Sequence, residues 1–88
     1  MDEKVLKTKL LKSDHDNIKN VRALFDLAYA TNDRELNLVV RDICAEKSLK
    51  HKKENSGLAG SFFEIYEKTL LFAAPYDFDS YLRYLEKN

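Results

Sequence analysis

The residues best suited to chemistry are a lone cysteine, two histidines and the carboxylates beside them. Cys44 and His51 lie seven residues apart and can share one face of a helix, but two ligands do not make a zinc site. Asp14, His15 and Asp16 are adjacent, and side chains of this kind ahead of a helix usually cap its free N–H groups. We therefore expect a buried thiol, a solvated histidine and a capping segment, with no catalytic site, metal site or cofactor.

The strongest local charge is a basic run over residues 47–53. It contains four lysines and no acid: Lys47, Lys50, Lys52 and Lys53. These side chains can contact phosphates, but the run has no aromatic residue on which a base would stack. Lysines are also favoured electrostatically near the C-terminus of a helix. Because the chain's 15 basic and 15 acidic residues cancel, weak nucleic-acid binding is an alternative and not the leading prediction.

Two other nucleotide-related patterns are weaker still. Gly57 and Gly60 are the only glycines, too few for a phosphate-binding loop. The turn at residues 31–33 fits a helix-turn-helix, but the second helix would present residues of mixed sign to DNA. These residues are Arg34, Glu35, Asn37, Arg41 and Asp42.

Aromatic residues concentrate near the C-terminus: the chain has five Phe and five Tyr, and eight of these ten follow Gly57. A domain this small cannot bury them all, and one of Phe62 and Phe63 should remain exposed. Exposed aromatics are frequent anchors of protein interfaces. We predict a protein-interaction surface at Tyr76, Tyr81 and Tyr84.

Helices must position these residues, because apolar side chains recur every three or four positions. Two glycines and one proline in 88 residues also favour helices with short loops. The sequence predicts an all-α fold: one domain over 1–88, a small bundle of four to five short helices in two helical hairpins, with 1–13 loosely held. Helices are expected near residues 2–12, 18–30, 58–73 and 77–86. A further helix follows the turn at 31–33 and carries Leu36 to Cys44, and residues 47–53 either extend it or lead out of it.

Turn residues set the predicted boundaries. Asn32 and Glu35 fit a capping box before the third helix, residues 55–57 form the clearest break, and Pro75 ends the fourth helix. The side chains expected to face inward are Ile18, Val21, Leu24, Phe25, Ala28, Leu36, Val39, Val40, Ile43, Cys44, Leu58, Phe62, Ile65, Thr69, Phe72, Phe78, Tyr81, Leu82 and Leu85.

The sequence shows no pair of cysteines, no signal-peptide pattern and no apolar stretch of membrane-spanning length, and these features bear on the cellular compartment. Cys44 is the only cysteine, the acidic N-terminus leads into no signal-peptide core, and the longest wholly apolar stretch is residues 70–75. We expect a cytoplasmic protein without a membrane segment.

The C-terminal segment 63–88 resembles the N-terminal region of phage and prophage terminase large subunits, where a helical segment ending in a Tyr-rich helix precedes the packaging ATPase. Residues 18–46 are similar in character to the opening hairpin of those proteins. The resemblance implies a role in DNA packaging, through contact with another packaging component or with the protein's own motor domain. It carries over no functional residue, because the chain has neither the ATPase nor the nuclease motifs. A free-standing phage-type adaptor that binds a host protein is the alternative.

Overall fold

A computed structural model describes residues 2–74, 82–83 and 85–86. It contains four helices: α1 Glu3–Leu11, α2 Ile18–Thr31, α3 Arg34–His51 and α4 Ser56–Ala73. No strand occurs in these residues, so the predicted all-α bundle is confirmed. None of the helices in the described ranges is both long and apolar enough to cross a bilayer.

The helices pack through two antiparallel hairpins, α2–α3 and α3–α4. The most extensive packing joins α3 to α4, while α2 contacts each of the other three helices. Two contacts fix the direction of α4: Arg34 Nη1 lies 3.5 Å from the Phe72 carbonyl oxygen, and Asn37 Nδ2 donates to the Thr69 carbonyl at 3.1 Å. Because α3 runs opposite to both neighbours, α2 and α4 run in the same sense.

The core lies where the apolar stripes of α2, α3 and α4 meet. Its fully buried members are Val21, Leu24, Ala28, Leu36, Val40, Cys44, Phe62 and Ile65. Leu10 and Leu11 of α1 pack against this cluster, which anchors the N-terminal helix. Of the two adjacent phenylalanines, Phe62 is buried and Phe63 is 38% exposed, as the limited core volume predicts.

Three of the predicted inward positions are wrong. Val39 is 42% exposed, because the α3 stripe that faces the bundle passes through Leu36, Val40 and Cys44 and leaves position 39 at its edge. Leu82 and Leu85 lie in helical backbone but are 37% and 49% exposed. Phe78, Tyr81 and the other residues of the predicted last helix, apart from 82–83 and 85–86, lie outside the described residues.

The α2–α3 turn is built differently from the predicted capping box. Asn32 does not cap α3: its φ of 53° is left-handed and it forms the C-cap of α2, a conformation that asparagine tolerates. Asp33 caps α3 instead, accepting a hydrogen bond from the Leu36 backbone N–H at 3.0 Å. Lys7 Nζ lies 2.7 Å from the same carboxylate and, with the Leu36 bond, lowers the pKa of Asp33. This ion pair ties α1 to the turn.

The break between α3 and α4 lies slightly before its predicted position. Asn55 is the N-cap of α4 and accepts a hydrogen bond from the Leu58 backbone N–H at 3.0 Å. Ser56 and Gly57 therefore belong to the first turn of α4, and Gly57 does not have a positive φ. At the start of α2, Asn17 caps the helix through the Lys19 N–H at 3.0 Å, so the cap is the residue that directly follows the predicted Asp14–Asp16 segment.

Candidate functional site

Cys44 and His51, the pair considered above as metal ligands, both pack inside the bundle. Burial leaves Cys44 inaccessible and raises the pKa of its thiol to about 12, which confirms the predicted buried thiol. The prediction of a solvated His51 is wrong: its ring stacks on Phe62 with centroids 5.9 Å apart, and its side chain is 16% exposed. Within the described ranges, no group of three His, Cys, Asp or Glu residues is arranged to hold a metal ion.

Asp16 is an ion-pairing residue and not only part of a capping segment. Its Oδ1 lies 3.0 Å from Lys50 Nζ, 3.0 Å from His51 Nε2 and 3.3 Å from Lys47 Nζ. The hydrogen bonds from Lys50 and His51 hold the pKa of Asp16 well below its usual range, and Asp16 in turn raises the pKa of Lys50. Asp14 accepts a hydrogen bond from the Asp16 backbone N–H at 2.9 Å, within the turn that precedes α2.

The Asp16 cluster divides the basic run in two. Lys47 and Lys50 are paired with the carboxylate, whereas Lys52 and Lys53 are exposed and form no ion pair with a described residue. The four lysines therefore do not form one phosphate-binding row. Only the last two remain as free positive charges, at the end of α3.

We expect weak binding of the chain to duplex DNA, with a log–log salt slope no steeper than about −2, because two lysines release about 0.9 counterion each. Asp16→Asn frees Lys47 and Lys50, so its slope should steepen toward about −3 to −4. Fluorescence anisotropy titrations at several salt concentrations measure both slopes, with Asp14→Asn as the control carboxylate. A slope near −4 for the unmodified chain would contradict the pairing.

An aromatic groove lies between α2 and α4. This α2–α4 groove has a volume of about 670 Å³ and is lined by Phe25, Asp26, Tyr29, Lys68, Leu71 and Phe72. The Tyr29 ring lies 6.2 Å from that of Phe25 and 5.4 Å from that of Phe72, measured between centroids. Tyr29 and Leu71 are 65% and 59% exposed, so the groove presents apolar surface to solvent.

Tyr29 is the exposed aromatic that sequence reasoning missed. The predicted surface residues Tyr76, Tyr81 and Tyr84 lie outside the described residues. The signal for Tyr29 was available in the sequence: it directly follows the buried Ala28 and lies one turn beyond the half-buried Phe25, at the outer edge of the α2 stripe. An aromatic residue at such an edge can contact its helical neighbour and still face solvent.

A second groove lies between α3 and α4. This α3–α4 groove has a volume of about 460 Å³ and is lined by Ala45, Ser48, Leu49, Lys52, Ala59, Gly60, Phe63 and Tyr66. Leu49, in the middle of the basic run, is 73% exposed. A Cβ placed on Gly60 would meet no atom within 4 Å, so the groove is open above this residue.

Comparison with known proteins identifies no relative: no protein-family model, curated protein or solved structure matches the chain. The resemblance of residues 63–88 to terminase large subunits therefore stays a prediction. Both grooves present large apolar side chains to solvent: Tyr29 and Leu71 in the α2–α4 groove and Leu49 in the α3–α4 groove.

Proposed function

We propose that the chain is a non-enzymatic helical protein-interaction domain whose α3–α4 groove receives an apolar helix of another protein. The exposure of Leu49 beside a groove lined by small residues carries this proposal. A large apolar side chain in solvent loses the free energy that burial would provide, about 1.5–3 kcal/mol for leucine. Small side chains such as those at Ala59 and Gly60 allow a second helix to approach closely. Both features are typical of helix-in-groove recognition.

The charge at one end of the groove indicates the chemistry of the partner. Lys52 is the only charged side chain among the lining residues, and it forms no ion pair with a described residue. Lys53 follows it, at the same end of α3. A partner helix with an apolar stripe and a carboxylate at this end would complement the groove, and the charges would orient it.

The resemblance to terminase large subunits supports a packaging component, or the motor domain of the same protein, as the source of that helix. A host protein bound by a free-standing adaptor is the alternative source. A reading frame that continues past Asn88 into an ATPase motif would select the first. The pairing of Lys47 and Lys50 with Asp16 makes nucleic acid the less favoured ligand.

Substituting each glycine with alanine separates stability from binding. Both glycines are helical, so Gly57→Ala and Gly60→Ala should each stabilise the fold by up to about 1 kcal/mol. Neither added methyl clashes: at Gly57 it meets only Asn55 Oδ1 at 3.7 Å, and at Gly60 it meets nothing. Only the Gly60 methyl would enter the groove. We therefore expect Gly60→Ala to weaken partner binding while Gly57→Ala leaves it unchanged.

Urea denaturation measures the stability of both variants, and calorimetric titration measures their affinity for a partner identified by affinity capture. Gly60→Leu fills more of the groove and should lower the affinity about tenfold, since overpacking a close contact costs about 1–3 kcal/mol. Binding of Gly60→Leu with the affinity of Gly57→Ala would show that the partner does not occupy the α3–α4 groove.

A further inference from the structure

The α2–α4 groove carries one charge of each sign, on opposite helices. Asp26 lies on α2 and Lys68 on α4; both are exposed, and neither forms an ion pair with a described residue. The Tyr29 and Phe72 rings lie 5.4 Å apart between centroids, which brings these two residues to a similar height along α2 and α4. Asp26 precedes Tyr29 by three residues and Lys68 precedes Phe72 by four. Because α2 and α4 run in the same sense, both charges lie about one helical turn, or ~5 Å, below the ring contact.

This arrangement is complementary to itself. Consider a two-fold axis that is parallel to α2 and α4 and lies in front of the groove, midway between the two helices. Rotation by 180° about this axis places α2 of one copy opposite α4 of the other and does not shift either helix along its length. Asp26 of each copy then faces Lys68 of the second copy, so that two ion pairs form at once. The same rotation brings the exposed Tyr29 of one copy onto the exposed Leu71 of the other. Two-fold interfaces of this isologous kind are the commonest in soluble oligomers.

We propose that the α2–α4 groove is a self-association surface, through which two copies of this chain form a two-fold dimer with reciprocal Asp26–Lys68 pairs. The proposal is independent of the partner that occupies the α3–α4 groove, since the two surfaces share no residue. Tyr29 and Leu71 supply the apolar contact, with tyrosine as the anchor. The charge pairs at the rim fix the orientation of the copies.

Charge exchange at Asp26 and Lys68 tests the symmetry directly. In a homodimer of Asp26→Lys, each introduced lysine faces Lys68 of the other copy; in a homodimer of Lys68→Asp, each introduced aspartate faces Asp26. Each variant alone should therefore dimerise about tenfold more weakly than the unmodified chain. An equimolar mixture of the two variants restores both opposite-charge pairs. Its dissociation constant should therefore return to that of the unmodified chain. Sedimentation equilibrium of the 88-residue chain at low salt measures all four samples, and thermal unfolding by circular dichroism verifies their folds.

Two leucine substitutions test the apolar contact between Tyr29 and Leu71 in the proposed dimer. Leu71→Ala should weaken the dimer. Leu49→Ala removes a leucine of the other groove that is also mostly exposed, at 73% against 59% for Leu71, and should leave the dimer unchanged. Recovery of the dimer in the mixture, together with this difference, establishes the proposed surface. A chain that is monomeric at millimolar concentration overturns the proposal, as do charge variants that dimerise with unchanged affinity. A dimer that Leu49→Ala disrupts and Leu71→Ala does not also overturns it, and assigns self-association to the α3–α4 groove.

Discussion

Replacing Phe62 with alanine is expected to lower the free energy of unfolding by about 3–5 kcal/mol, the usual cost of removing a buried aromatic ring. Phe62 is fully buried and is the largest such side chain in the described part of the bundle. Its ring also packs on His51, so the substitution removes a support of the Asp16 cluster. A domain of this length has a total stability of only about 4–13 kcal/mol. The variant should therefore be partly unfolded or close to unfolding at 37 °C.

Urea denaturation followed by circular dichroism measures this loss. Leu49→Ala is the matched control: it removes a large apolar side chain that is mostly in solvent, and the expected change is below about 0.5 kcal/mol. A cost below about 1 kcal/mol for Phe62→Ala would mean that the ring is not enclosed by the core.

The fold was largely predictable from the sequence because its information is local. Apolar residues at three- and four-residue spacing predicted the stripes of α2, α3 and α4, since that spacing follows directly from helix geometry. The limit of such reasoning appears at Phe62 and Phe63. Both fit an apolar stripe of α4, and the packing of α2 and α3 against that helix decides that the first is buried and the second exposed.

The candidate sites were less predictable because they join residues distant in sequence. Asp16 and Lys50 are 34 positions apart, and nothing in either segment indicates that they meet. The α3–α4 groove likewise needs Leu49 from one helix and Gly60 from the next. Local rules also compete: Asn32 and Asp33 are both good N-caps, and the need for a left-handed residue at the chain reversal assigns Asn32 to the end of α2.

Asn37→Asp is expected to destabilise the fold by about 3–5 kcal/mol at pH 7, as an unpaired buried charge does. Asn37 is 2% exposed; its Nδ2 donates to the Thr69 carbonyl oxygen at 3.1 Å, and its Oδ1 has no hydrogen-bond partner in the described structure. Aspartate has the same shape as asparagine, but a carboxylate oxygen replaces the Nδ2 donor and would face the Thr69 carbonyl oxygen. Asn37→Leu is the control, because it removes both polar groups and should cost less than about 1.5 kcal/mol.

The pH dependence of Asn37→Asp identifies the charge as the cause. Burial raises the pKa of the introduced carboxyl above the ordinary value of about 3.9, so the folded state binds its proton more tightly than the unfolded chain does. Stability of the variant should therefore increase as the pH falls from 7 to about 5, when the carboxyl is protonated and can donate to the Thr69 carbonyl. Asp16 and Asp33 have lowered pKa values, so their contributions are lost only below about pH 4 and do not interfere in this range. Thermal unfolding of the variant and of Asn37→Leu at pH 7 and pH 5 measures the difference. Parallel pH profiles would show that position 37 does not bury the charge.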